Sequence, residues 1–285
     1  MDYRIFANIL NQQVFENSKS DLIRKIAETP YRYIGLFRPT KPKAKILQNL
    51  LQSNEIRFGD ALEIIFKVYF KLLGYENLDN KLQKNYDNLD IDQLFRNQYN
   101  IYFVEQKVRD DHDSTKKRGQ IDNFIKKIEA LLEIYKEKQL KCFTYFIDPS
   151  LTKNKNYYSE QMKEISKDYG IYCKLCYGKE FWDEISQIQV WDELLKYLKK
   201  WKEGIPELPS VNFDLEAEKT FNEIKDMPPS IYRKLFAIDE IYNEILLTIF
   251  PQKKVLKLLL IYFEELGNNK IIYKTLADIV RKTIK

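Results

Sequence analysis

The sequence predicts an α/β fold: a mixed central β-sheet flanked by helices, with helical N- and C-terminal regions. Three observations predict it. Residues 58–148 pass from a long apolar helical run, through a period-two hairpin pattern, to an amphipathic helix and a strand. A second helix and strand follow over 160–178. The text before 58 and from about 211 onward carries helical spacing without strand alternation.

Taken in order, residues 1–30 are helical, with Phe6, Ile9, Leu10 and Val14 on one stripe. Pro39 and Pro42 then break regular structure in 31–45. There Arg32, Arg38, Lys41, Lys43 and Lys45 are interleaved with Tyr31, Tyr33 and Phe37. Such a stretch suits either a phosphate-contacting segment or a solvated loop between helices. Residues 46–57 form a further helix, and 58–75 another, with Asp60 able to cap its start and Gly74 to end it. The run 89–95 is short and alternating, 97–100 (NQYN) is turn chemistry, and 101–108 (IYFVEQKV) is β-branched and aromatic, which together read as a hairpin. A charged loop covers 109–119, an amphipathic helix 121–139, a strand 141–148, a helix 160–170 closed by Gly170, and a strand 171–178. Helices follow from 180 and over 190–203. The two prolines of 204–210 mark the best linker, which divides the chain into residues 1–205, holding the α/β core and its helical N-terminal part, and a helical region over 206–285.

Composition narrows the function classes. Hydrophobic residues make up 44% and charged residues 31%, as in a soluble globular protein. Basic residues number 47 against 42 acidic, a net of +5 that permits a nucleic-acid partner without requiring one. No run approaches the roughly 18 apolar residues of a membrane span, and the N-terminus has no targeting pattern, so a cytoplasmic protein without membrane contact is expected. Cys142, Cys173 and Cys176 are too few for a disulfide framework. Cys173 and Cys176 form a CxxC with no second pair, and His112 is the only histidine, so they read as small apolar residues in or beside a strand rather than as zinc ligands.

The chemistry concentrates in the hairpin. Side chains two apart on a strand share a face, so Glu105 and Lys107 project together. Asp92, thirteen positions earlier, lies on the preceding strand, where a hairpin brings it across from Glu105. Two carboxylates suffice for Mg²⁺, a hard cation that keeps several waters. Such an ion polarises a phosphate and acidifies water, while an adjacent lysine orients the nucleophile and meets developing charge. Asp90 shares the expected strand face with Asp92 and is the alternative ligand; Asp92 is favoured because Leu94 and Phe95 continue its strand. A solvent-facing ion pair is the competing reading of Glu105 and Lys107, yet Tyr102, Phe103 and Val104 make this strand read as buried.

Asp92-Gln-Leu-Phe followed by Val-Glu105-Gln-Lys107 resembles the PD-(D/E)XK nuclease signature, and the order helix, hairpin, helix, strand, helix, strand resembles that superfamily's core. The stretches 105–120 and 177–182 look like type II restriction endonucleases in particular. The resemblance spans roughly 55–190 and departs from the pattern in lacking a proline before Asp92. It implies Mg²⁺-dependent hydrolysis of double-stranded DNA at a short sequence, with Asp92 and Glu105 as metal ligands and Lys107 assisting. It also matches Glu63 to an additional metal-linked acid, although Asp60-x-x-Glu63 has the spacing of a helix-capping pair. A repair or resolvase-type nuclease of the same superfamily and a non-catalytic nucleic-acid-binding protein are the competing readings.

Around this centre, Arg109, Lys116, Lys117, Arg118 and Gln120 are expected to meet the DNA backbone, with Arg38, Lys41 and Lys43 as further contacts. His112 is read as a DNA contact or structural residue, and Asp110, Asp111 and Asp113 as partners of the neighbouring cations. A homodimer would match a palindromic site. Leu256, Leu259, Leu260 and Phe263 form the apolar stripe that serves either such an interface or, preferably, the core.

Overall fold

The computed structural model describes residues 1–284 except 36, 85–86, 111–113, 136–138, 206–208 and 238–239; for residues 83, 84, 87, 114, 240 and 241 it describes the backbone alone. The chain opens with three helices, α1 (Tyr3–Phe15), α2 (Ser18–Glu28) and α3 (Pro42–Leu72). The strands are β1 (Glu76–Asn77), β2 (Lys81–Lys84), β3 (Asp87–Asp90), β4 (Gln93–Arg96) and β5 (Asn100–Lys107), then α4 (Ser114–Ile134), β6 (Gln139–Phe146), α5 (Lys155–Tyr169) and β7 (Tyr172–Tyr177). Helices α6 (Lys179–Glu184) and α7 (Ile188–Lys202) follow. The chain divides into two compact units: Met1–Leu10 with Gly59–Ile205, and Asn11–Phe58 with Pro206–Lys285. Residues 11–58 thus cluster with the C-terminal helices.

The first unit is built on a five-stranded mixed sheet in the order β1-β4-β5-β6-β7. Strands β1, β4 and β5 run antiparallel, and β5, β6 and β7 parallel. The α/β class with a mixed sheet is therefore as the sequence predicts. Each parallel step needs a crossover, supplied by α4 and α5. One sheet face, carrying Ile101, Phe103, Cys142 and Phe146, packs on the apolar stripes of α4 and α5, and Phe103 stacks on Phe124 at 4.7 Å. The other face meets α3 and α6 through aromatic rings: Phe70 stacks on Phe95 at 3.8 Å and Tyr145 on Phe181 at 4.7 Å. Every strand in the centre is thus covered on both sides, which is why 101–106 are all buried.

Three local expectations change. Residues 42–72 form one uninterrupted helix, so Asp60 lies mid-helix and caps nothing. Gly59 sits inside it because the helix passes close to the end of β5: a Cβ there would lie 3.1 Å from Val108 Cγ2. The run 89–95 is two strands, because β3 pairs with β2 in a separate two-stranded sheet and the chain bends at Asp92 before joining the main one. Finally, α4 starts at Ser114, so Lys116, Lys117 and Arg118 stand on its first turns rather than in a loop. The expected ends at Gly74 and Gly170 hold, each in the left-handed region (φ 84° and 63°).

The second unit is helical. Beside α2 and the first part of α3 it holds α8 (Ala217–Ile224), α9 (Pro229–Leu235), α10 (Glu240–Ile249), α11 (Lys254–Gly267) and α12 (Ile271–Ile284). Leu256, Leu259 and Phe263 are buried in its core with Ile23, Ile26 and Tyr232, and Leu260 packs against that core, so this stripe is interior packing. Asp214, also buried, accepts from the backbone N–H groups of Gln252 (2.7 Å) and Val255 (2.9 Å), fixing the start of α11. Among the described residues no helix is long and apolar enough to cross a membrane.

Candidate active site

The register of the β4–β5 hairpin pairs Gln93 with Val104, so the next residue outward, Asp92, stands across from Glu105. Asp92 is not left to swing. Its Oδ2 accepts the backbone N–H of Gln106 at 2.7 Å, which ties the carboxylate to β5 beyond the last paired residue of β4. Asp90, the alternative, is exposed in the separate β2–β3 sheet, paired there with Lys81. Glu105 and Lys107 share the sheet face that looks toward α4, with Lys107 Nζ 3.3 Å from Glu105 Oε2. The other oxygen, Oε1, accepts from Nζ of Lys127 on α4.

Glu63, on α3, joins this group electrostatically. Burial, then Asp92, Asp60 and Glu105, push its carboxyl up to about 8 against the pull of Lys67. Burial and then Glu105 push Asp92 up to about 6, opposed by Lys107, the Gln106 N–H and Lys127. Burial disfavours the charge on Lys107, but Glu105 and Asp92 outweigh it and raise its pKa. The centre therefore crowds acidic groups out of water around two ammoniums. Gln93, fully buried, braces it: its Nε2 donates to the backbone carbonyl of Glu63 (2.9 Å) and to Gln106 Oε1 (3.3 Å), tying α3 to the hairpin.

These shifts have a consequence for stability. Glu63 and Asp92 hold protons more tightly folded than unfolded, so the native chain binds more protons between pH of about 4 and about 8. Stability then falls as pH rises through that window. The melting temperature of metal-free protein is expected to be lower at pH 8 than at pH 5, and Glu63→Gln is expected to flatten the fall. An undiminished pH slope in that variant would contradict the placement of Glu63 among the acids.

Oxygen donors of this kind suit a hard cation. Among the described residues no three His, Cys, Asp or Glu side chains converge as a ready cage; Asp92 stands across from Glu105 at the end of the hairpin. A cleft beside them is lined by Glu105, Lys107, Gln120, Asn123, Thr144 and Tyr158. Gln120 lies within α4, its Oε1 accepting the Tyr158 hydroxyl at 2.7 Å, so its amide is held at the cleft. Lys116 and Arg118 are exposed on the first turns of α4, where Lys117 lies 4.9 Å over the Tyr157 ring. Arg109 follows β5 and is half-buried. Arg38, Lys41 and Lys43 are exposed in the second unit, the first beside the almost fully exposed Phe37.

Asp110, expected to pair with the loop cations, is instead buried and accepts from Asn154 N (2.9 Å) and Nδ2 (2.5 Å), anchoring the start of α5. Asp111, His112 and Asp113 lie outside the described residues. Cys142 and Cys173 are register partners on β6 and β7, free thiols like Cys176. Two residues of the centre escaped the sequence reading, Lys127 and Gln93. The signal for Lys127 was its place on the apolar stripe of Ile121, Phe124, Ile128 and Leu131, where a charge needs a partner.

The family of HinfI type II restriction endonucleases matches residues 74–202, the stretch that carries the hairpin, α4 and the parallel strands. The type II restriction enzyme HinfI of Haemophilus influenzae is 26% identical over 215 residues, covering 71% of this chain and 77% of that one. No solved structure matches.

Proposed function

We infer that this chain, which is similar to type II restriction endonucleases, is a site-specific deoxyribonuclease that hydrolyses double-stranded DNA with Mg²⁺ through a PD-(D/E)XK centre of Asp92, Glu105 and Lys107. The observation that carries this reading is the hydrogen bond from Gln106 N–H to Asp92, which holds one carboxylate opposite another beside a lysine on a buried strand. Asp92 and Glu105 would hold the cation, with Glu63 as a further acid linked to them electrostatically. When bound, Mg²⁺ supplies positive charge to the scissile phosphate and acidifies water. Lys107 is the group able to leave its partner: its side chain is 21% exposed, and Glu105 keeps a second ammonium. Lys107 Nζ orients the attacking water and stabilises charge on the phosphoryl oxygens. In-line attack breaks the P–O3′ bond and leaves a 5′-phosphate and a 3′-hydroxyl, the water's proton passing to the departing oxygen.

The start of α4 serves the phosphate backbone. Lys116, Lys117 and Arg118 stand at a helix N-terminus with no acidic residue in its first turn, so side-chain charge and helix dipole add. Gln120 lines the cleft beside Glu105 and Lys107, and Arg109 follows β5. Arg38, Lys41 and Lys43, exposed on the second unit, are further candidate contacts to the DNA backbone. Their joint replacement by alanine is expected to weaken binding to any duplex and to reduce the salt slope of log K by up to about 3; a slope equal to the parent's would remove them from the interface. A homodimer would present two such centres to a two-fold site.

Incubation with unmethylated phage DNA tests the function. Discrete fragments with Mg²⁺ and none with EDTA are expected. A smear, or nicking confined to branched DNA, would replace the restriction reading with a non-specific or junction nuclease.

A further inference from the structure

Glu105 is held from two sides, and the two lysines are not equivalent. Lys107 reaches Oε2 from the same strand and keeps one-fifth of its side chain in solvent. Lys127 reaches Oε1 from α4, and only 4% of its side chain is exposed. Burying an ammonium is costly unless it is paired, and at this position in an apolar helix stripe leucine or methionine would pack without that cost. Among the described residues Glu105 is its hydrogen-bonding partner, while Asp92 feels its charge without a bond to it.

We propose that Lys127 is a positioning residue for the cation site: it fixes Glu105 through Oε1 and so leaves Oε2, the oxygen shared with the more exposed Lys107, for the metal ion. This rests on the reading of Asp92 and Glu105 as cation ligands. A carboxylate pinned at one oxygen by a buried donor loses the freedom to rotate away. Donors of this kind behind a metal ligand tune affinity by about 10- to 100-fold. Lys107, by contrast, acts on the reacting groups, so the two lysines should fail differently.

The test is equilibrium Mn²⁺ binding to the full chain without DNA, followed by the free-ion EPR signal, for the wild type, Asp92→Asn, Lys107→Met, Lys127→Met and Lys127→Arg. Lys127→Met is expected to weaken Mn²⁺ binding about tenfold or more and Lys127→Arg to restore most of it. Cleavage lost in Lys127→Met should return as Mg²⁺ is raised, whereas that lost in Lys107→Met should not. If Lys127→Met shows no cooperative melt, Lys127→Gln, polar and one bond shorter, takes its place with the same expectation. Mn²⁺ binding that is lost in Asp92→Asn yet unchanged in the folded Lys127 variant overturns the proposal alone. A wild type that binds no Mn²⁺ and cuts no DNA overturns the cation site beneath it.

Discussion

Glu105→Ala is expected to end cleavage and to loosen the fold at once, and Glu105→Gln to separate the two effects. Removing the side chain strips Lys127, almost wholly buried, of its counter-charge. An uncompensated buried charge costs about 3–5 kcal/mol, a large part of the stability of a domain. Glutamine keeps the shape and an oxygen that accepts from Lys127, so its cost should be smaller. It cannot serve as an anionic cation ligand. Loss of that ligand removes several kcal/mol of charge stabilisation, on the order of a thousandfold in single-turnover rate. Thermal melts and cleavage rates of the two variants should therefore diverge: both inactive, the alanine variant alone strongly destabilised. Glu105→Gln cutting at the wild-type rate would remove Glu105 from the chemistry and leave it as a structural partner of two lysines.

Lys107→Met is expected to show the opposite profile. Its side chain is partly exposed and Glu105 retains Lys127, so folding should change little. Methionine fills the stem's volume without the ammonium. Losing a group that positions water and meets charge in the transition state is worth roughly 10²- to 10⁴-fold in rate. Duplex affinity, dominated by backbone contacts elsewhere, should stay close to that of the wild type. Fluorescence anisotropy with a labelled duplex, read beside cleavage, makes the comparison. Equal losses in binding and rate would recast Lys107 as a phosphate contact.

What could be read from the sequence, and what could not, follows the range of the interactions involved. The strand 101–108 was legible because its signal is local: apolar and β-branched residues buried on both faces, interrupted by Glu105 and Lys107 on one of them. The parallel strands and their crossover helices were legible for the same reason. The break before Asp92 was not, because it depends on β3 pairing with β2 and on Asn80 bonding both backbone groups of Ile91. Residues 42–72 read as two helices because Asp60 looks like a cap, yet the helix continues through Gly59, where it runs close to Val108. Asp110 read as a loop charge, since nothing nearby in sequence points to Asn154. Lys126 and Lys127 are adjacent and chemically identical; helix phase alone leaves the first exposed and buries the second. Asp92, Glu105 and Lys107 could be picked out early because a hairpin brings them together by short-range rules, whereas Lys127 arrives by the fold of α4 over the sheet.

The centre is tested most directly by single-turnover cleavage of one linear duplex, with Mg²⁺ and with EDTA, by the wild type beside Asp92→Asn, Glu105→Gln and Lys107→Met. Discrete products from the wild type with Mg²⁺ alone, and none on the same timescale from each folded variant, are predicted. Cleavage at the wild-type rate by any of the three, or cleavage by the wild type in EDTA, would contradict the account.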